Sequence, residues 1–339
     1  MMADRQSVLE VARDWLAAGE RVALATVVAT WSSSPRPVGS QMAIASSGQF
    51  AGSVSGGCVE SAVIVAAGEL FSGASRGRVL EYGVSLEQAW EVGLPCGGKI
   101  MIYLAETSLA VLEPAHAGRA RRETVVILMD IDTGRDEVWV PGPTARAHAL
   151  GDEAAARAVE AVVRRERSEL LELGGRRLFV LVVAAPLRLV AVGAVHLTQA
   201  LCDLAGLSGI DVWVVDPRTA FASPERFPGV VLEHEWPDVA LGKIGLDRRT
   251  AVVVLSHDQK LDEPALHAAL ASDCFYIGAL GSQRTQRARR ERLAEAGHGE
   301  AALARIHGPI GLDIGAQTPP EIAVAIMAEL IQAWRRRAP

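Results

Sequence analysis

The sequence predicts an α/β protein in which a mixed N-terminal domain precedes a doubly wound parallel sheet, and three observations carry that prediction. From residue 187 onward, short and almost continuously apolar runs alternate with helical segments, the pattern of parallel strands covered on both faces. Before that point, strand-like runs are joined by tight turns such as the Ser-Ser-Gly turn ending at Gly48. A chain of 339 residues, 50% hydrophobic and 22% charged, has material for two domains with cores of their own. The expected divisions are 1–117 for the N-terminal domain, 118–186 for a connecting α/β segment and 187–339 for the C-terminal domain.

In residues 6–18, Val8, Val11, Trp15 and Leu16 share one helical face, and Gly19 stops the helix. Strands follow at Val22–Ala29, Met42–Ala45 and Gln49–Ser53. Between the first two lies Thr30–Ser40, where Pro35, Pro37 and Gly39 exclude regular structure. Cys58–Phe71 reads as a helix, and strands at Val79–Tyr82 and Lys99–Leu104 bracket a loop holding Gly93–Gly98. The next stretch predicts strands at Thr124–Met129, Glu137–Val140 and Arg176–Val183 and a helix over Asp152–Glu166. Gly118–Arg122 reads as a boundary loop, and the stretch as scaffold. Then come the strand Leu187–Val192, the helix His196–Ala205 and strands at Asp211–Val215, Ala251–Leu255 and Cys274–Ile277. Thr318 as N-cap, Pro319 at the first position and Glu321 at the third announce a last helix.

Net charge is -6, and no basic stripe dominates, so a nucleic-acid partner is not expected. The arginines at 287–292 and 335–337 read as solvated faces. The N-terminus carries no charged segment followed by an apolar core, so no signal peptide is expected. The apolar run Leu178–Val195 is broken by Pro186 and Arg188 and reads as two buried strands, not a membrane span. A cytoplasmic location is expected. Cys58, Cys96, Cys202 and Cys274 are widely spaced, which favours free thiols over a structural zinc site.

Gly52-Ser-Val-Ser-Gly-Gly-Cys-Val-Glu60 is the strongest chemical signal, at a strand end and a helix start. Glycines there bring backbone N–H groups, with the helix N-terminus behind them, to an anion such as phosphate or oxo-metal. Cys58 sits where a thiolate is favoured, though a Gly-rich turn around a buried cysteine has the same sequence. Cys96, followed by Gly97 and Gly98, offers a second soft ligand or a packed thiol. Arg36 has the planar fork that suits phosphate or a pterin carbonyl, or it is a surface charge. In the C-terminal half, Gly193-Ala-Val195 keeps only the first glycine of a dinucleotide fingerprint, and Thr198 replaces the third. Asp216 lies where a ribose-binding acid would stand, yet Val195 argues against NAD(P). His196 and His257 follow parallel strands at the edge where such sheets bind ligands; each contacts a ligand or caps its loop. The turn at Ile277–Arg284 suits an anion, and His307–Gly315 is a loop too rich in Gly, His and Asp to be only a connector. His-Glu-x-x-His, a serine nucleophile elbow and a Walker loop are all absent from the sequence, so no catalytic residue is assigned.

Taken in order, Thr30–Ser40, Gly52–Glu60 and Gly93–Gly98 resemble the N-terminal domain of XdhC/CoxI proteins. Leu255–Asp258, Ile277–Ser282 and Pro309–Gly315 resemble their Rossmann-like C-terminal domain, and the likeness runs from about residue 6 to residue 335. Trp31 and Pro35–Ser40 are closest to the CoxI-like branch, associated with aerobic carbon monoxide dehydrogenase. The resemblance implies a maturation factor, not itself the final enzyme, that binds molybdenum cofactor transiently and protects it during sulfuration. It implies delivery to an apo molybdenum hydroxylase of the xanthine dehydrogenase type, with a cysteine desulfurase as partner and a homodimer as the assembly. By position, Cys58 and Cys96 become candidates for the metal or its sulfur, and Arg36, Ser55, Gly56 and Gly57 for the pterin phosphate. Gly97, Gly98, His196 and His257 complete the cofactor-binding set. Two other readings stand beside this one: an NAD(P)-dependent oxidoreductase, and a sulfurtransferase carrying a persulfide on Cys58 or Cys96.

Overall fold

The computed structural model describes residues 7–31, 36–73, 76–83, 98–141 and 153–337. The chain divides into two compact units, residues 1–185 and 186–338. The segment from Gly118 to Ala185 is part of the first unit.

The first unit opens with α1 (Val8–Ala17), begun by a capping box between Ser7 and Glu10. β1 (Val22–Trp31), β2 (Gln41–Ala45), β3 (Phe50–Gly52), β4 (Gly77–Gly83) and β5 (Lys99–Glu106) form an antiparallel sheet in the order β3-β2-β1-β5-β4. A register shift between Val27 and Ala29 interrupts the pairing of β1 with β5, which resumes at Ala29 and runs to Trp31. One face of this sheet buries Ala23, Ala25 and Met42 against Val63, Ala67 and Leu70 of α2 (Glu60–Ser72).

A second antiparallel sheet, β7-β6-β9-β8, is built from β6 (Val125–Asp130), β7 (Arg135–Trp139), β8 (Glu169–Leu173) and β9 (Arg176–Val183). Val125, Ile127, Phe179 and Leu181 pack in one core with Val28, Met101 and Tyr103 of the first sheet. The opposite face is covered by α4 (Glu153–Arg164), through Ala155, Val159 and Val162.

Two expectations need correcting. Gly118 does not open a boundary loop; it lies inside α3 (Leu109–Ala120). A Cβ at Gly118 would stand 2.1 Å from Cγ2 of Val125, so the glycine serves close helix–strand packing. The helix expected from Cys58 begins at Glu60, leaving Cys58 in the loop.

The second unit is a six-stranded parallel sheet in the order β12-β11-β10-β13-β14-β15. Its strands are β10 (Arg188–Val192), β11 (Asp211–Val215), β12 (Val231–Glu233), β13 (Thr250–Val254), β14 (Tyr276–Ala279) and β15 (Ile306–His307). Counted within the unit this is order 3-2-1-4-5-6, the doubly wound Rossmann-like arrangement expected, with its switch point between β10 and β13. α5 (His196–Leu207) and α10 (Pro319–Arg336) share the core on one face. The other core is supplied by α6 (Pro237–Ile244), α7 (Gln259–Leu270), α8 (Gln283–Glu295) and the short α9 (Glu300–Leu303). Thr318 and Glu321 close the capping box expected at the start of α10. Arg188, which breaks the apolar run in the sequence, buries its guanidinium and donates to Thr250 Oγ1 and the Ile244 carbonyl. No helix among the described residues is long and apolar enough to cross a membrane.

Candidate functional site

The Gly52–Glu60 loop leaves β3 and enters α2. Val54 anchors it in the core and Ser55 is buried, while Gly56, Gly57 and Cys58 are exposed. Gly56 and Gly57 have φ of 82° and 120°, so successive N–H groups turn inward. The concave backbone expected for an anion is therefore built. Its occupant is the chain's own Glu60.

Glu60 Oε1 accepts from Ser53 Oγ at 2.7 Å, Val54 N at 3.2 Å, Ser55 N at 2.9 Å and Gly56 N at 3.1 Å. Oε2 accepts from Ser55 Oγ, from Gly57 N at 2.9 Å and from Val59 N at 3.2 Å. Partial burial alone would raise the pKa of this carboxyl; the hydrogen bonds from Ser55 and Ser53 outweigh it and hold the group well below the usual carboxylate range. Sequence reasoning named Glu60 only as the end of a motif. An acidic residue in the first helical turn behind two glycines was the signal that pointed to it.

Arg36 joins this loop: its Nε donates to the Ser53 carbonyl at 3.1 Å. The Cys58 N–H donates to Ser55 Oγ at 3.0 Å, and its thiol is free and exposed. The structure thus brings Arg36, Ser55, Gly56, Gly57 and Cys58 together. Cys96 and Gly97 lie outside the described residues, and Gly98, half-buried, leads directly into β5. Cys202 and Cys274 are buried. Among the described residues, no group of three or more His, Cys, Asp or Glu side chains could hold a metal ion.

In the second unit, His196 begins α5 after β10, and His257 follows β13 with φ 61°; both are exposed, on neighbouring strands at the switch point. The turns before them pack closely: a Cβ on Gly193 would stand 2.8 Å from the Ser256 nitrogen. Thr198, at the position of the third fingerprint glycine, donates its hydroxyl to the Gly193 carbonyl at 2.6 Å. Asp216 is fully buried and engaged, accepting from the Ala194 N–H at 2.8 Å and from Arg218 Nε and Nη2 at 2.9 and 2.7 Å. Burial pushes its carboxyl up, but Arg218 and the Ala194 N–H outweigh that and hold it below the usual range.

Two further clusters escaped the sequence reading because their members are far apart in the chain. Asp262 accepts from Ser256 Oγ at 2.6 Å and pairs with Arg289 at 3.2 Å, tying the turn before His257 to α7 and α8. Glu329 on α10 accepts from Tyr276 Oη at 2.6 Å and the Gly311 N–H at 2.7 Å, and lies 3.0 Å from His307 Nδ1. The near end of the His307–Gly315 loop is thereby pinned to the sheet, while Asp313 and Ile314 are exposed. The turn at Ile277–Arg284 is closed by the chain itself, with Ser282 accepting from the Thr285 N–H.

Two family models match the chain: the XdhC and CoxI family over residues 15–83, and the XdhC Rossmann domain over residues 189–330. A molybdenum cofactor insertion chaperone of Escherichia coli (strain K12), PaoD, is 29% identical over 328 residues, spanning 96% of this chain and 88% of that protein. A Bacillus subtilis (strain 168) protein described as a probable xanthine dehydrogenase component is 27% identical over 337 residues, 94% of this chain and 95% of the other. A solved structure from Bacillus halodurans, described as a xanthine dehydrogenase, superposes with a TM-score of 0.79 at 23% identity, covering 98% of this chain and 97% of its own; it shows the same fold.

Proposed function

This chain belongs to the XdhC and CoxI family, and from that membership we propose that it binds molybdenum cofactor transiently and inserts it into an apo molybdenum hydroxylase. The observation that carries the proposal is the exposed Cys58 thiol on an internally hydrogen-bonded loop, in a chain that aligns along nearly its whole length with a molybdenum cofactor insertion chaperone. A thiolate is a soft donor matched to molybdenum or to the sulfur it carries, and an Arg hydrogen-bonded to the same loop suits phosphate. Cys58 and Cys96 are the proposed contacts to the metal or its sulfur. Arg36 is the proposed phosphate partner in the described part of the loop. For Ser55, Gly56 and Gly57 to hold phosphate through their N–H groups, the Glu60 carboxylate must first leave them.

Protection of the cofactor during sulfuration, a cysteine desulfurase as sulfur source, a client of the carbon monoxide dehydrogenase type, a homodimer and a cytoplasmic setting complete the proposal. A nicotinamide nucleotide seeking Asp216 for its ribose would have to displace Arg218 and the Ala194 N–H. The NAD(P) reading is accordingly the weaker one.

Binding of molybdenum cofactor to the purified wild type, Cys58→Ala and Cys96→Ala tests the proposal. The expected result is stoichiometric binding, weakened about tenfold by either substitution, the equivalent of one lost soft contact. Absence of binding by the folded wild type overturns it.

A further inference from the structure

We infer that Glu60 is a positioning residue for Cys58: its carboxylate gathers the Ser53–Val59 loop into one shape and so sets where the thiol stands. The meaning of that thiol rests on the function proposed above; the positioning itself rests on hydrogen bonds. Five backbone N–H groups (Val54, Ser55, Gly56, Gly57 and Val59) and two hydroxyls (Ser53 and Ser55) converge on Glu60. A carboxylate offers about four lone-pair sites, so this many donors saturate both oxygens. The Cys58 N–H donates to Ser55 Oγ, and Ser55 Oγ in turn donates to Glu60. Cys58 is therefore linked to the carboxylate through a single hydroxyl, with its side chain facing solvent.

Other contacts fix the remainder of the loop. Val54 is sunk in the core, and Arg36 holds the Ser53 carbonyl. Gly57 has open space where a Cβ would be, so its glycine answers to backbone conformation and not to packing. A thiol mounted on a loop of this internal order is preorganised, and a cargo meeting it does not spend binding energy on ordering the loop.

The test compares full-length wild type, Glu60→Gln, Glu60→Asp, Cys58→Ala and the double variant Glu60→Gln/Cys58→Ala. Three readouts are taken: amide hydrogen exchange over residues 54–59, the rate of Cys58 alkylation by iodoacetamide, and binding of molybdenum cofactor. Glu60→Gln keeps the shape of the side chain but turns one acceptor into a donor facing N–H groups. Exchange across 54–59 is expected to rise about tenfold and the Cys58 alkylation rate to change roughly threefold, with Glu60→Asp restoring part of both. Glu60→Gln and Cys58→Ala are each expected to weaken cofactor binding about tenfold, and the double variant to bind no more weakly than Cys58→Ala alone, because one residue acts through the other. Additive losses, or an unchanged Cys58 alkylation rate in Glu60→Gln, overturn the inference. If cofactor binding ignores Cys58→Ala while exchange and alkylation respond as stated, the positioning role is supported and the cofactor reading is what fails. Should Glu60→Gln fail to fold, the same comparisons are made on Glu60→Asp, where unchanged exchange and alkylation overturn the inference.

Discussion

The loop after β3 and the loop after β10 have the same local grammar, a strand running through glycine into a helix, and each hydrogen-bonds a carboxylate of the chain. They differ in how that carboxylate is satisfied. Glu60 takes N–H and hydroxyl donors from its own loop, a few residues away. Asp216 takes one loop N–H, from Ala194, and is otherwise paired with Arg218. The glycines differ as well. Gly57 is needed for its φ of 120° and touches nothing at the Cβ position, whereas Gly193 combines a φ of 105° with a Cβ position 2.8 Å from the Ser256 backbone. One loop is held mainly by its own carboxylate and displays its glycines and Cys58 on the surface. The other is a joint that locks two parallel strands together at the switch point.

The sharpest way to break this contrast is at the glycines. Gly193→Ala adds a backbone collision to conformational strain and is expected to cost about 3–4 kcal/mol in urea unfolding. Gly57→Ala meets strain alone and is expected to cost about 1 kcal/mol. Equal losses would mean that the two loops do not differ in the way described. The carboxylates come next. Asp216→Asn removes the charge of a fully buried carboxylate held by the Ala194 N–H and the partly exposed Arg218, and is expected to destabilise by about 2 kcal/mol. Glu60→Gln is expected to cost about 2 kcal/mol, since several of its donors can turn to water from an exposed loop.

The smallest effect is the pH dependence of the Glu60 contribution. Its folded pKa lies below the ordinary value of 4.5, so the folded state holds its proton less tightly than the unfolded chain. The stabilisation is complete above the unfolded pKa and is lost as pH falls through the folded one. The stability gap between wild type and Glu60→Gln is therefore expected to vary by less than about 0.5 kcal/mol from pH 7 to pH 5.5 and to close only under more acid conditions. A gap that already shrinks between pH 7 and pH 5.5, followed by urea midpoints, would contradict the hydrogen-bonded carboxylate.

Much of the fold was legible in the residues. Apolar strands alternating with helices from Leu187 specify a parallel sheet, because a strand covered on both faces has no polar side to show. Thr318, Pro319 and Glu321 marked the start of α10, because capping is a matter of neighbours in the chain. The Gly52–Glu60 and Thr30–Ser40 motifs singled out the candidate site for the same reason: glycine, proline and cysteine declare their local chemistry. α3 was missed because Gly118 looks like a helix breaker until the side chain of Val125 is placed against it.

By itself, then, the sequence determined most of the strand and helix periods, the cap of α10, and the Gly-rich segment that carries Cys58. Only the tertiary structure decided which carboxylate meets a turn far from it in the chain: Asp216 at the end of β11 for the Ala194 turn, and Glu329 from α10 for the Gly311 turn. The physical reason is that backbone periodicity and capping are set by residues a few positions apart. A turn whose acceptor lies far away in the chain is different, for it takes whichever carboxylate the fold brings nearest.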